Sequence, residues 1–155
     1  MEGDLDRSGV ASSARSAMRV RDIMSEKIVT ISADDSLFTV EEIMTLGGVR
    51  HMPVVRAGQL VGVVSQRDLL RASLSNLTHY GNGQRRAFLE AVEIRRVMSG
   101  PAVTISPEAL VGEAAAEMAT RKIGCLPVVE GDALVGMLTE TDLLRYYADR
   151  VGSAS

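Results

Sequence analysis

Apolar and polar positions along this chain follow two rhythms, and the sequence of rhythms comes round twice. The pieces IVTIS (28–32) and AVTIS (102–106) are short, apolar and β-branched, a composition that predicts a strand. Each is followed by a stretch, SLFTVEEIMTLG or EALVGEAAAEMATRK, in which apolar residues recur at helical spacing. Next come MPVV and LPVV, whose prolines suit only a strand start or edge. AGQLVGVVS and GDALVGMLT follow, and tight turns at Ala57-Gly58 and Gly131-Asp132 predict two hairpins. SQRDLLRASL and TETDLLRYYADR then read as helices. The predicted order is β-α-β-β-α, twice, an α/β (α+β) chain. A short apolar lead-in before each copy, VRDIM or IRRVM, is expected to lie on the other copy.

The duplication is written in the residues themselves. Positions 20–71 match 94–145 without a gap at a constant offset of 74, and 18 of the 52 pairs are identical. Two copies are fewer than the three or more that a solenoid needs to bury its faces, so the pair is expected to pack on each other about a pseudo-twofold axis. The expected boundaries are a flexible tail over 1–17, a first copy over 18–73, a linker over 74–93 and a second copy over 94–150. Gly81-Asn82-Gly83 breaks the linker, and QRRAFLEAV after it predicts an extra helical turn or two.

Composition narrows the function. A chain of 155 residues suits one unit able to bury roughly 68–70% of its unfolded surface. Aromatic residues are only 3% and Trp is absent, so the core must be aliphatic. A net charge of -3 offers no basic footprint for nucleic acid. No run approaches the roughly 18 apolar residues of a membrane span. Cys125 is the only cysteine, which excludes an intrachain disulfide and fits a reducing, cytoplasmic setting. Residues 1–17 lack the apolar centre of a secretory signal. Phosphate-loop, nucleophile-elbow, zinc-helix and paired-cysteine motifs are all missing, so the chain is not expected to be an enzyme.

One motif does carry chemistry. Ser65-x-x-Asp68 and Thr139-x-x-Asp142 occupy equivalent places, where an apolar strand meets a helix. They fit a capping box, in which the hydroxyl takes a backbone N–H and the acid reaches back to the cap's own N–H. They also fit half of a ribose site, since a carboxylate accepts hydrogen bonds from vicinal hydroxyls. Each follows a glycine, Gly62 or Gly136, whose missing side chain would let a ligand approach the backbone. The two readings are compatible, and the sequence leaves both open.

The Met-Ser lead-in, the T-I-S piece, the x-P-V-V strand and the G-h-h-[ST]-x-x-D-L-L ending together resemble a tandem cystathionine-beta-synthase (CBS) domain pair, or Bateman module, over residues 20–148. KIGCLPVVEGDALVGMLTETDLLR is similar to small free-standing bacterial members, including the acetoin-utilisation type. The resemblance implies two domains packed through their sheets with two clefts between them. It also implies an adenine nucleotide such as AMP, ADP or ATP, or S-adenosylmethionine, as ligand. A homodimer, or a regulated protein partner, would receive the signal. It places ribose on Asp142 with help from Thr139 and phosphate near Thr141; in the first copy the counterparts are Asp68, Ser65 and Arg67. Arg67 departs from the hydroxyl usual there. For adenine the candidates are Thr104 with Gly124, Cys125, Leu126 and Pro127, and Thr30 with His51, Met52 and Pro53; Met52 and Leu126 are as readily plain core. The alternative is a scaffold that keeps the fold and binds no nucleotide.

His51 and Cys125 fall at equivalent positions, but two ligands are too few for zinc. Cys125 reads as a buried structural thiol. Arg50-His51 would meet phosphate in the first cleft, or stay clear of it. Arg85-Arg86 and Arg121-Lys122 read as solvated helix faces.

Overall fold

The computed structural model describes residues 17–74 and 82–153. The expected tail, apart from Ala17, and Gly81 of the expected breaker lie outside the described residues. In the first copy, β1 (Ile31–Ser32) runs parallel to β2 (His51–Arg56) at Ile31↔Val54 and Ser32↔Val55. β2 turns back antiparallel into β3 (Gln59–Ser65). Between β1 and β2 lies α2 (Leu37–Gly47), preceded by the short α1 (Val20–Ile23) of the lead-in. α3 (Gln66–Leu74) follows β3. Ser36 caps α2 by accepting the Thr39 N–H at 3.4 Å, and Gly48, at φ 64, ends it. Leu37, Val40 and Met44 recur at helical spacing and are buried against Met52, Val54 and Val64 of the hairpin.

The linker helix is longer than the turn or two expected. α4 (Asn82–Ala91) lies along α2, where the Arg85 guanidinium holds both Glu41 oxygens at 3.1 and 2.7 Å. Arg85 is therefore an inter-helix tie rather than a solvated face. Leu89 beneath it is fully buried in the first core.

The second copy repeats the plan with α5 (Val111–Arg121), β4 (Cys125–Glu130), β5 (Ala133–Thr139) and α6 (Glu140–Ser153). Its counterpart of β1 shrinks to a single parallel bridge, Ile105↔Val128, with hydrogen bonds of 3.0 Å to Pro127 O and from Val129 N–H. Both hairpins turn in two residues, 57–58 and 131–132, as their sequences predict.

The lead-ins are exchanged. Val20 N–H donates to Ala109 O at 2.8 Å, and Ser25 and Met137 trade both backbone bonds at 2.9 Å, which fastens the first lead-in to the second copy. Conversely Ser99 and Val63 trade both bonds at 2.9 Å, and Ile94 and Arg95 donate to Asp35 O and Ala33 O, which fastens the second lead-in to the first copy. Val20 is buried in the second core and Ile94 in the first. Hydrophobic burial thus joins the copies, because each core is closed by an apolar side chain that the other copy's sequence supplies.

Candidate functional site

The register of the strands gathers the candidate residues of each copy at one end of its sheet. His51 pairs with Ser65 and Cys125 with Thr139, at the start of one strand and the finish of the next. The helix that carries Asp68 or Asp142 begins directly afterwards. Ile31↔Val54 and Ile105↔Val128 then set Thr30 beside Pro53 and Thr104 beside Pro127; both threonines are exposed. Met52, Pro53, Cys125, Leu126 and Pro127 are buried, with Met52 in the first core and Leu126 in the second, so any part these two play towards a ligand passes through their main chain.

Both hydroxyl–acid pairs close the cap. Asp68 Oδ2 accepts the Ser65 N–H at 2.8 Å and the Ser65 hydroxyl at 2.9 Å, while the Asp68 N–H donates back to Ser65 Oγ at 3.2 Å. The second copy reproduces this with Thr139 and Asp142 at 2.9, 3.0 and 3.3 Å. Every one of these carboxylate bonds falls on Oδ2. Among the described residues none donates to Oδ1, so each half-buried acid keeps one oxygen for another donor. A carboxylate holding both ribose hydroxyls on two free oxygens is thereby reduced to one open oxygen. Arg67 and Thr141, one residue before each acid, are exposed.

The expectation that Gly62 and Gly136 open the backbone to a ligand is overturned. A Cβ at Gly62 would stand 2.6 Å from Ser99 O and 2.9 Å from Met98 Sδ; at Gly136 it would meet Met24 Sδ at 2.6 Å and Ser25 O at 3.1 Å. The space these glycines leave is filled by the Met-Ser end of the other copy's lead-in, which must lie that close to trade its backbone bonds.

The copies touch where β2 and β4 begin. His51 does not stay on its own side: a Cβ at Gly124 would come within 2.9 Å of His51 Cε1 and 3.1 Å of Nε2, with the Glu140 carboxyl carbon 3.7 Å away. Glu140, which the sequence reading passed over, stands where the first copy has Gln66, and its N–H donates to Gly124 O at 3.0 Å. Only the repeat alignment could have pointed to it, as an acid replacing an amide beside the motif. Burial holds the His51 pKa below 6.5, against the opposing pull of Glu140. Burial, then Glu140 and Asp68, pushes the Cys125 thiol up to about 12, which makes it an inert structural thiol. No group of three or more metal-ligating side chains assembles among the described residues.

Asp142 also lies on the wall of an open groove of about 540 Å³, between Met18 with Asp22 and Ile23 of the first lead-in and Arg145, Tyr146, Asp149 and Arg150 of α6. The α6 residues sit at i, i+3, i+4, i+7 and i+8 from Asp142, one helix face, a spacing visible in the sequence.

Comparison with known proteins decides the family. The CBS domain family matches twice, at residues 20–75 and 94–149. This chain belongs to the CBS-domain family. A CBS domain-containing protein of Dictyostelium discoideum is 32% identical over 127 residues, covering 81% of this chain and 88% of its own. Other relatives are longer: the chain spans 47% of the uncharacterized protein MJ1225 of Methanocaldococcus jannaschii and 24% of an inosine-5'-monophosphate dehydrogenase of Korarchaeum cryptofilum, at 28% identity to each. Its likeness to the enzyme is thus confined to a CBS region. Among solved structures, a Vibrio cholerae protein described as an acetoin utilization protein (AcuB) is 32% identical with a TM-score of 0.72, covering 88% of this chain and 94% of that one. The CBS domain pair of protein MJ0100, solved with 5'-methylthioadenosine and S-adenosyl-L-methionine, shares the fold at a TM-score of 0.73 and 24% identity, over 86% of this chain and 98% of that one. No helix of the described CBS pair is long and apolar enough to cross a membrane.

Proposed function

We propose that this CBS pair is a regulatory module that binds an adenosyl ligand, AMP, ADP, ATP or S-adenosylmethionine, and passes its occupancy to the geometry of a homodimer or to a partner protein. One observation supports the reading: in both copies the capping acid uses Oδ2 for the helix, while Oδ1 receives no donor among the described residues and is open to a ribose hydroxyl. The ligands of MJ0100 support the adenosyl class. Thr104, Gly124, Cys125, Leu126, Pro127, Thr139, Thr141 and Asp142 form one site; Thr30, His51, Met52, Pro53, Ser65, Arg67 and Asp68 form the other. The working units are 18–73 and 94–150, in a reducing, cytoplasmic setting.

From sequence alone, the apolar faces of SLFTVEEIM and ALVGEAAAEM look too rich to be covered by one small sheet each and suggest the dimer contact, but the structure uses them otherwise. The apolar stripe of SLFTVEEIM is turned to the first core and α2 is overlaid by α4, and that of ALVGEAAAEM is turned inward at Val111, Ala114 and Met118. Leu70 and Leu74 on α3 and Leu144, Tyr147 and Val151 on α6 are instead 51–68% exposed. These side chains are the proposed contact between protomers. Sedimentation showing only the 16.6 kDa species across micromolar concentrations rejects the dimer.

Calorimetric titration with AMP, ADP, ATP, NADH and S-adenosylmethionine tests the ligand reading. Asp142→Asn keeps an acceptor for the cap but removes the charge, so affinity drops by about 1.5–3 kcal/mol while the melting temperature holds. Silence across the panel at millimolar concentration favours the scaffold that binds no nucleotide.

A further inference from the structure

The two sites descend from one ancestor by the same offset, yet their charged residues have diverged in opposite directions. Around the shared Asp, the first copy places Arg50, His51, Gln66 and Arg67 where the second places Gly124, Cys125, Glu140 and Thr141. Over these positions and the shared acid, Arg50, Arg67 and Asp68 give the first mouth net +1 with His51 neutral, and Glu140 and Asp142 give the second −2, while Arg71 and Arg145 fall at equivalent places and cancel in the comparison.

The structure keeps these charges together. Arg50 and Arg67 are exposed, and neither guanidinium has an ion pair or hydrogen bond among the described residues. Both nonetheless lie near enough to His51 to act on its charge, as Glu140 does more strongly from the second copy, and His51 pairs across the strands with Ser65, whose hydroxyl and N–H hold Asp68. Two unpaired arginines beside a ribose acceptor are a point where an anion gains charge-assisted hydrogen bonds without displacing an existing partner. At the second mouth Gly124 leaves room for the His51 ring and the Glu140 carboxyl, and no Arg or Lys occupies any of the equivalent positions. A polyphosphate placed there meets two carboxylates, whereas a neutral or cationic adenosyl group does not pay that repulsion.

Resting on the adenosyl reading above, we propose that the two sites sort ligands by charge: the first, through Arg50 and Arg67, takes a nucleoside polyphosphate, and the second, through Glu140, takes an uncharged or cationic adenosyl compound. The module then reads two chemical pools at once. Arg50, Arg67 and Glu140 are the residues that determine specificity, and Asp68 and Asp142 are the shared anchor.

The test is calorimetric titration of the full chain with ATP and, separately, with S-adenosylmethionine, in four variants and at two salt concentrations. In Arg50→Gly/Arg67→Thr, which gives the first mouth the second copy's residues, ATP affinity falls at least about tenfold and S-adenosylmethionine affinity holds. In Glu140→Gln/Thr141→Arg, the second mouth gains ATP and loses S-adenosylmethionine. Asp68→Asn weakens ATP alone, and raising the salt weakens ATP far more than S-adenosylmethionine. Ligands that bind and respond to Asp68→Asn or Asp142→Asn, but whose ratio ignores the charge exchanges, overturn the sorting and leave the adenosyl reading standing. Silence from both ligands overturns the two together.

Discussion

The two copies share a frame and differ in what they hang on it. Their hairpins pair residue for residue at the same offset, down to the irregularity at Val54/Val55 and its counterpart at Val128/Val129. Around that frame, α2 of the first copy has a capping hydroxyl, a glycine terminus and a helix laid over it. α5 of the second is preceded by Leu110, which has no capping hydroxyl and whose N–H donates to Glu113 at 3.4 Å, and is followed by Lys122 in the left-handed region at φ 55. Duplication preserved what the backbone requires and released what the side chains recognise. Comparing equivalent positions therefore separates residues that hold the fold from residues that choose a ligand.

The largest effect is expected at the paired glycines. Gly62→Ala forces a Cβ onto the Ser99 carbonyl, which accepts the Val63 N–H in a residue whose own N–H donates back to Val63, and lowers stability by about 1–3 kcal/mol. Gly136→Ala meets chiefly the thioether of Met24, which can swing aside, and costs less. Equal losses in the two thermal melts would show that the lead-ins do not grip their hosts differently.

The junction separates the copies by pH. His51 has its folded pKa depressed below 6.5, so its contribution is full above that value and is lost as pH falls through the folded pKa, because the unfolded chain takes the proton first. Stability measured from pH 7.5 to 5 should decline, and His51→Gln should flatten part of the decline. An unchanged slope in the variant removes His51 as the cause. A smaller gain is expected at the end of α5: Lys122→Gly relieves a left-handed residue and adds about 1 kcal/mol, bringing the second copy into line with Gly48. Cys125 gives the least response, with no alkylation of the native protein between pH 7 and 9, because its thiol titrates near 12. Labelling at the rate of a free thiol would show that the junction opens.

Much of this was legible in the sequence because it is local. Turn residues announced both hairpins, and hydroxyl–acid spacing announced both caps, since each depends on groups three or fewer positions apart. The repeat also foretold the exchange of lead-ins. What escaped was set by partners remote in the chain. Gly62 looks like a vacancy until Met98 and Ser99 are placed in it, and His51 looks like a first-copy residue until its ring is found beside Gly124. The length of α4 escaped for another reason: Asn82 and Gly83 read as breakers yet lie inside the helix, and burial of Leu89 together with the Glu41 tie holds it against α2.

The crossed lead-ins make this a protein that cannot be divided at its linker. A scissor cut there leaves each fragment wearing the cuff its neighbour needs and missing its own, so neither half is expected to fold alone. Mixed in solution, the pieces should find each other and restore the missing edges, as a split reporter does, with Val20 and Ile94 as the two studs that snap the garment shut.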